Sequence, residues 1–318
     1  MENITIPQSV TRIANGVFDA CEKLTDIYYG GTDASWKHIT SRNAGLGGNV
    51  TIHSTGVFTG KCGDNLTWTI DNNEVLTISG TGRIPDYNTS YGGNNTAPWY
   101  DYGYQIKKVV LGSGVQNIGN DAFARCYCMT DITIPDGVTR IGDNAFRGCS
   151  ALTKVSIPST VSSIGSGAFS NCALHEVEIP QGITSIQSDT FWYCTQLTKI
   201  TIPASVTSIG GGAFSGCALR EVEIPQGITS IQSDTFQNCT QLTKITIPDS
   251  VTSVEICAFN NCHVLETVYY GGTEAQWEGM DVDNYADGNS ALLDATLYFE
   301  MKYQRIAAGS CGGNLRWS

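Results

Sequence analysis

Basic residues are scarce in this chain: 18 Lys and Arg face 30 Asp and Glu, a formal net charge of -12 over 318 residues. A protein that binds a duplex gathers Lys and Arg on one face to neutralise phosphate, so this balance excludes nucleic acid as a partner. No run approaches the roughly 18 consecutive apolar residues of a spanning helix, so no membrane insertion is expected within the chain. The opening MENITIPQSV lacks the basic start and apolar stretch of a secretory leader and reads instead as the middle of a repeat. Also missing are HExxH, the GxSxG elbow, GxxxxGKS/T and a GxGxxG following a strand. No catalytic residue and no cofactor is therefore expected, and the chain reads as a non-enzyme.

What the chain has in abundance is repetition. Pro135, Pro158, Pro180, Pro203, Pro225 and Pro248 recur every 22 or 23 residues, each after an isoleucine. Phe123, Phe146, Phe169, Phe191, Phe214, Phe236 and Phe259 keep step, and a cysteine stands three residues after each, from Cys126 to Cys262. A fixed period of this length is the signature of a solenoid. In Leu152-x-x-Val155-x-Ile157 the last apolar residues alternate as in a short strand with one buried face. Proline then removes a backbone donor where the ladder ends. Val161 and Ile164 turn back into the core, and Phe169 fills it. One coil cannot bury its own edges, so it is stable only when stacked. Residues 172–216 and 217–261 match almost throughout, which makes a pair of coils the duplicated unit.

The stretch LTKVSIPSTVSSIGSGAFSNC, Leu152 to Cys172, and its siblings resemble the leucine-rich repeat of BspA-like bacterial surface proteins. The resemblance covers about half of the chain directly. It implies a β-rich solenoid with one parallel sheet of about eight coils between Ile106 and Tyr270, capped by a β-hairpin module and a C-terminal cap. It also implies an extracellular or cell-surface protein that adheres to host proteins, glycans or other cells. The alternative is a structural spacer that projects another domain, and the pattern specifies no oligomeric state.

A longer repeat sets the domain boundaries. Ile4 to Trp36 matches Ile245 to Trp277, and GKCGDNLTW around Cys62 returns as GSCGGNLRW around Cys311. Residues 1–54 read as the end of an upstream block with its cap, and 55–104 as a hairpin linking module. Residues 105–270 read as the repeat block, 271–306 as the C-terminal cap and 307–318 as the start of a further module. In the hairpin, Leu66, Trp68 and Ile70 alternate, DNNE turns, and Leu76 and Ile78 alternate back. Trp277 is the expected anchor of the C-terminal cap.

Twelve cysteines raise the question of metal or disulfides. Eight, counting Cys21, share the position after the phenylalanine and so form one inward file, where parallel side chains disfavour disulfide geometry. They read as small buried hydrophobes, with Cys62 and Cys311 as the exposed or linking thiols. Paired C-x2-C spacing with a following histidine is missing, so no metal is expected. Asp281, Asp283 and Asp287 supply hard oxygens, but the glycine and distal glutamate of a calcium loop are misplaced. Glu176/Glu178 and Glu221/Glu223 lie on one flat strand face, not across a cleft as glycoside hydrolysis needs. His175 and His263 stand where other coils carry Thr, Arg or Val.

Three surfaces remain as candidates for ligand binding. Thr133, Ser156, Glu178, Thr201 and Glu223 form a polar row two residues before the prolines. Beside them Lys108, Asp131, Lys154, Glu176, Lys199, Glu221 and Lys244 alternate in sign, which stabilises register. The loop from Pro85 to Tyr104 sets Tyr87, Tyr91, Trp99, Tyr100 and Tyr102 among Gly, Ser and Asn, the composition of recognition loops. A loop of this length also suits a second reading, in which the rings pack under the cap as its own small core. Trp192 and Tyr193, replaced by Gln237 and Asn238 in the copied coil, make the third.

Overall fold

The computed structural model describes residues 2–40, 45–46, 49–54, 56–89 and 95–299. It is a β-solenoid of about 11 turns. Most of the alternating residues form the strands expected of them: in Asp131–Thr133, Glu176–Glu178 and Glu221–Glu223 the central side chain is buried and its neighbours face solvent. The expected strand through Val155 and Ile157 does not form, because the one-residue-shorter corner after it leaves residues 154–157 without a ladder partner on that side. All strand pairs inside the block are parallel and in register, as in Glu176↔Lys199 and Glu221↔Lys244.

Each coil carries a second strand as well, too short to show a period of its own. Ile118, Ile141 and Ile164 anchor one such ladder, Ile186 pairs with Ile209, and Ile231 with Val254. The block therefore has two parallel sheets where one was expected. The second is interrupted between Ile164 and Ile186 and again between Ile209 and Ile231. These are the 22-residue steps, where Cys172-Ala-Leu174 and Cys217-Ala-Leu219 replace the longer Cys-x-x-Leu link. One residue fewer on the corner shifts the next coil out of ladder register. The turns still bond across the break, Phe169 N–H donating to Thr190 O at 2.9 Å.

Parallel stacking also runs beyond the eight coils foreseen. Asn3–Ile6, Asp26–Tyr29 and Thr51–Ser54 form a parallel sheet. At the other end Thr296–Phe299 pairs in parallel with Thr267–Tyr270, so the segment after Val268 is a longer coil that contains a short helix, Glu274–Glu278. Trp277 packs edge-on against Tyr270, ring centroids 5.3 Å apart. Antiparallel pairing among the described residues is confined to the hairpin module: Val57–Lys61, Leu66–Asp71 and Val75–Gly80 pair in turn. Val75–Gly80 then pairs in parallel with Lys108–Leu111, so the hairpin covers the open edge of the first coil.

Two files of side chains run through the core. The rings from Phe123 to Phe259 stack on one another with centroids 5.3 to 5.8 Å apart. Beside them each thiol from Cys149 to Cys262 donates to the carbonyl of the phenylalanine one coil earlier, at 3.1 to 3.2 Å. A cysteine suits this place because it is small, apolar and still able to donate. Cys21 was expected in the file but is exposed, with no earlier coil among the described residues to cover it. Cys62, expected to be exposed, is buried at the hairpin base, where its N–H donates to Leu66 O. Cys311 lies outside the described residues. All eleven described cysteines are free thiols.

Both ends of the turn ladder are closed by side chains. Coil by coil, a phenylalanine N–H donates forward to the alanine or threonine carbonyl of the next coil. The first coil is left with a spare acceptor, Ala122 O, and the Trp99 indole N–H donates to it at 2.8 Å. Trp99 also stacks on Phe123 at 5.7 Å and so heads the aromatic file. The last coil is left with a spare donor, Phe259 N–H, which Asn289 Oδ1 accepts at 2.9 Å. The other side of that amide donates to Glu255 O and Asp283 O.

Asn289→Ala orphans buried backbone groups, so it is expected to lower stability by about 1–3 kcal/mol, measured by urea unfolding. Phe191→Ala, which breaks the file, is expected to lower it by about 3–5 kcal/mol. Thiol chemistry gives a second check. Burial pushes Cys62 to about 11 and Cys126 and Cys262 to about 12, from an ordinary 9.0. A thiol reagent at neutral pH is expected to label exposed Cys21 and Cys128 first and the buried file only on unfolding. Because the unfolded chain ionises its thiols first, their contribution to stability is complete below pH 9 and is lost as pH rises toward 12.

Candidate ligand-binding grooves

On the strand face, Thr133, Ser156, Glu178, Thr201 and Glu223 are all exposed. Two pairs of the alternating charges meet across the ladder, Lys108 to Asp131 at 2.8 Å and Lys244 to Glu221 at 3.4 Å, while Glu176 and Lys199, although in register, form no ion pair. Exposed pairs of this kind contribute roughly 0–1 kcal/mol each. Where the ladder lapses, at residues 154–157, a groove of about 690 Å³ opens and gathers Ser156, Glu178 and Thr201. Lys154, Glu176 and Lys199 line it too, so its charges are mixed in sign and favour no class of ion.

The aromatic loop divides. Trp99 is fully buried and Tyr87 is 8% exposed, and both contact rings of the cap: Trp99 meets Trp68 and Tyr87 at 6.1 and 6.0 Å. Their ring faces belong to the cap core, because Trp99 has to head the phenylalanine file and Tyr87 fills the space beside it. Tyr102 is half-buried against Phe58, centroids 4.3 Å apart. Tyr91 lies outside the described residues. Tyr100 is half-buried and faces outward, where its hydroxyl accepts from Arg125 Nη1 at 3.0 Å. The same surface holds Tyr104, 62% exposed and packed on Tyr127 with centroids 5.0 Å apart.

A larger groove, about 950 Å³, runs across the turns that follow the second strand in successive coils. Its shape follows from two side-chain files. The first reads Arg147, Ser170, Trp192 in successive coils; the second reads Arg125, Gly148, Asn171, Tyr193. Small residues make the floor, and large ones stand at each end. Trp192 and Tyr193, 37% and 44% exposed with centroids 4.5 Å apart, form the C-terminal wall. Arg125, Arg147 and Tyr127 form the other. Asp189 is the carboxylate on the lining, pushed up by burial and by repulsion from Asp234.

The second file has a backbone peculiarity. All seven of its residues have positive φ, and five are Gly or Asn: Gly148, Asn171, Gly216, Asn238 and Asn261. The exceptions are Arg125 at 65° and Tyr193 at 58°, and both stand in the groove walls. A side chain with a Cβ in this region costs roughly 1–2 kcal/mol relative to the ordinary helical conformation, and Asn relieves part of that with local hydrogen bonds. The sequence reading selected Trp192 and Tyr193 but missed Arg125, Tyr127 and Arg147. A signal for Arg125 exists in the residue before each file cysteine: Gly or Asn is the rule there, and Arg125 breaks it as Tyr193 does. Arg125 and Tyr127 also line a smaller hollow with Tyr100 and Tyr104, so the outward part of the loop and the Trp192 patch are one continuous surface.

Residues 1–40, 116–242 and 186–275, together more than half of the chain, match the BspA type leucine rich repeat region in six copies. No curated protein matches the chain. Among solved structures it is similar to a leucine rich cell surface protein from Faecalibacterium prausnitzii, with 24% identity over 88% of this chain and 82% of that one, TM-score 0.37. A leucine-rich repeat protein from Bacteroides ovatus shares 22% identity over 65% and 70%, TM-score 0.36. The leucine rich repeat protein of T. pallidum shares 24% over 60% and 83%, TM-score 0.37.

The strained wall residues give a direct test. Tyr193→Asn and Arg125→Gly are each expected to leave stability unchanged or to raise it by up to about 1 kcal/mol in urea unfolding. A loss of more than about 1 kcal/mol in either would mean that these side chains are held for packing.

Proposed function

Since the chain belongs to the BspA-type leucine-rich-repeat family, we propose that it is a non-enzymatic binding and adhesion module, secreted or displayed on a bacterial cell surface, that recognises host proteins, glycans or other cells. The observation that carries this reading is the Trp192–Tyr193 pair. Its near-identical copy, residues 217–239, folds the same way with Gln237 and Asn238 in their place, so the coil has no structural need for either ring. Large exposed aromatics that packing does not require are the residues recognition uses most. No helix among the described residues is long and apolar enough to cross a membrane, which suits a segment held outside the bilayer. The second reading, a spacer, draws on the strand face, whose alternating charges largely cancel.

Beads coated with the chain are expected to adhere to host epithelial cells or to immobilised matrix, and free chain to compete them off. Trp192→Gln/Tyr193→Asn, which installs the copy's own residues, is expected to reduce that adhesion at least ~tenfold with an unchanged melting temperature. Adhesion no greater than that of uncoated beads would leave the spacer reading in its place.

A further inference from the structure

Building on that binding reading, we propose that the groove between the Arg125/Arg147 wall and the Trp192/Tyr193 wall is a site for a carboxylate-bearing oligosaccharide. The volume comes first. At about 950 Å³ it falls in the range of small-ligand clefts, roughly 300–1,000 Å³. A protein partner needs a face of about 800 Å² per side, a broader surface than this cleft between two walls. Parallel coils rise ~4.8 Å each, so Arg147 and Trp192, two coils apart in one file, are separated by about 10 Å. A short oligosaccharide spans that distance, with one end on the arginines and the other on the rings.

The chemistry of the two walls then sets the class. Aromatic faces carry the negative lobe of the ring quadrupole and attract the polarised C–H face of a pyranose. Floor groups fit hydroxyls: Asn144, Ser150 and Ser166 line the groove, and the Asp189 carboxylate accepts. Guanidinium groups bind planar carboxylates through paired N–H donors. Neither Arg125 nor Arg147 takes part in any of the ion pairs among the described residues. The side-chain hydrogen bond of Arg125 goes to a neutral phenol, that of Tyr100, which holds the guanidinium at the rim. In a chain of net charge -12, two arginines without carboxylate partners on one wall make a local cationic site. The left-handed backbone at both Arg125 and Tyr193 adds an independent sign, since strain of this kind concentrates at ligand sites.

The experiment uses the full chain on an array of sialylated and uronate-containing oligosaccharides together with their neutral counterparts. Binding to at least one acidic set is expected, weakening with salt. Trp192→Gln/Tyr193→Asn and Arg147→Gln are each expected to weaken it at least ~tenfold while circular dichroism and melting stay unchanged. The sialylated and uronate arms tell which acid is recognised. Equal binding of neutral and acidic sugars, or acidic binding unaffected by these folded variants, would overturn the site and leave the adhesion reading intact. Binding to a matrix protein with no sugar bound would overturn the ligand class alone. No binding to any sugar, protein or cell would end both.

Discussion

A coil of this protein leaves hydrogen-bonding groups unmet on both of its edges, and everything else in the architecture answers that fact. The next coil supplies the partners, so register is set by backbone bonds as much as by apolar contacts. The aromatic file and the thiol file share one logic. Each residue is placed to touch its equivalent one coil away, so one solution repeats from Phe123 to Phe259. The requirement returns at the ends, where no equivalent exists. Trp99 and Asn289 meet it with side chains, one donating and one accepting, according to which group the ladder leaves over.

Much of this was legible in the sequence because inward positions recur in a fixed period. The phenylalanines, the hairpin, most of the strands and most of the cysteine file are where the pattern places them, the exception among the strands being the coil of Val155 and Ile157. The second sheet was not legible: strands such as Arg140–Ile141 are only two residues long and show no alternation. The extra coils escaped for another reason. From Thr267 to Phe299 the side-chain pattern is lost while the backbone register persists, and a period counted in side chains cannot see it. Cys62 was misplaced because its burial comes from the hairpin packing over it, a contact with no sequence period.

The groove was the least legible feature, and its origin explains why. It exists because residues far apart in the chain, Arg125 and Tyr193, occupy the same file three coils apart, with Gly148 and Asn171 between them. Concavity here is made by size alternation along a file, on a backbone that does not change. A regular stack therefore holds a specific surface without any irregularity in its frame. The duplication makes the point within one molecule: residues 172–194 and 217–239 share a backbone, and a Trp-Tyr pair in one corresponds to Gln-Asn in the other.

The interrupted second ladder has a mechanical meaning. Tension applied to the two ends of a stack passes in series through every interface, so extension begins at the interface with the fewest cross-bonds. Those interfaces recur after Ile164 and after Ile209, and between them lies a two-coil segment whose own ladder is whole. Under load the stack divides into short rigid links joined at softer joints, and because the joint after Ile164 lies between Asn171 and Tyr193, a shearing flow parts the two walls of the groove before it breaks any link.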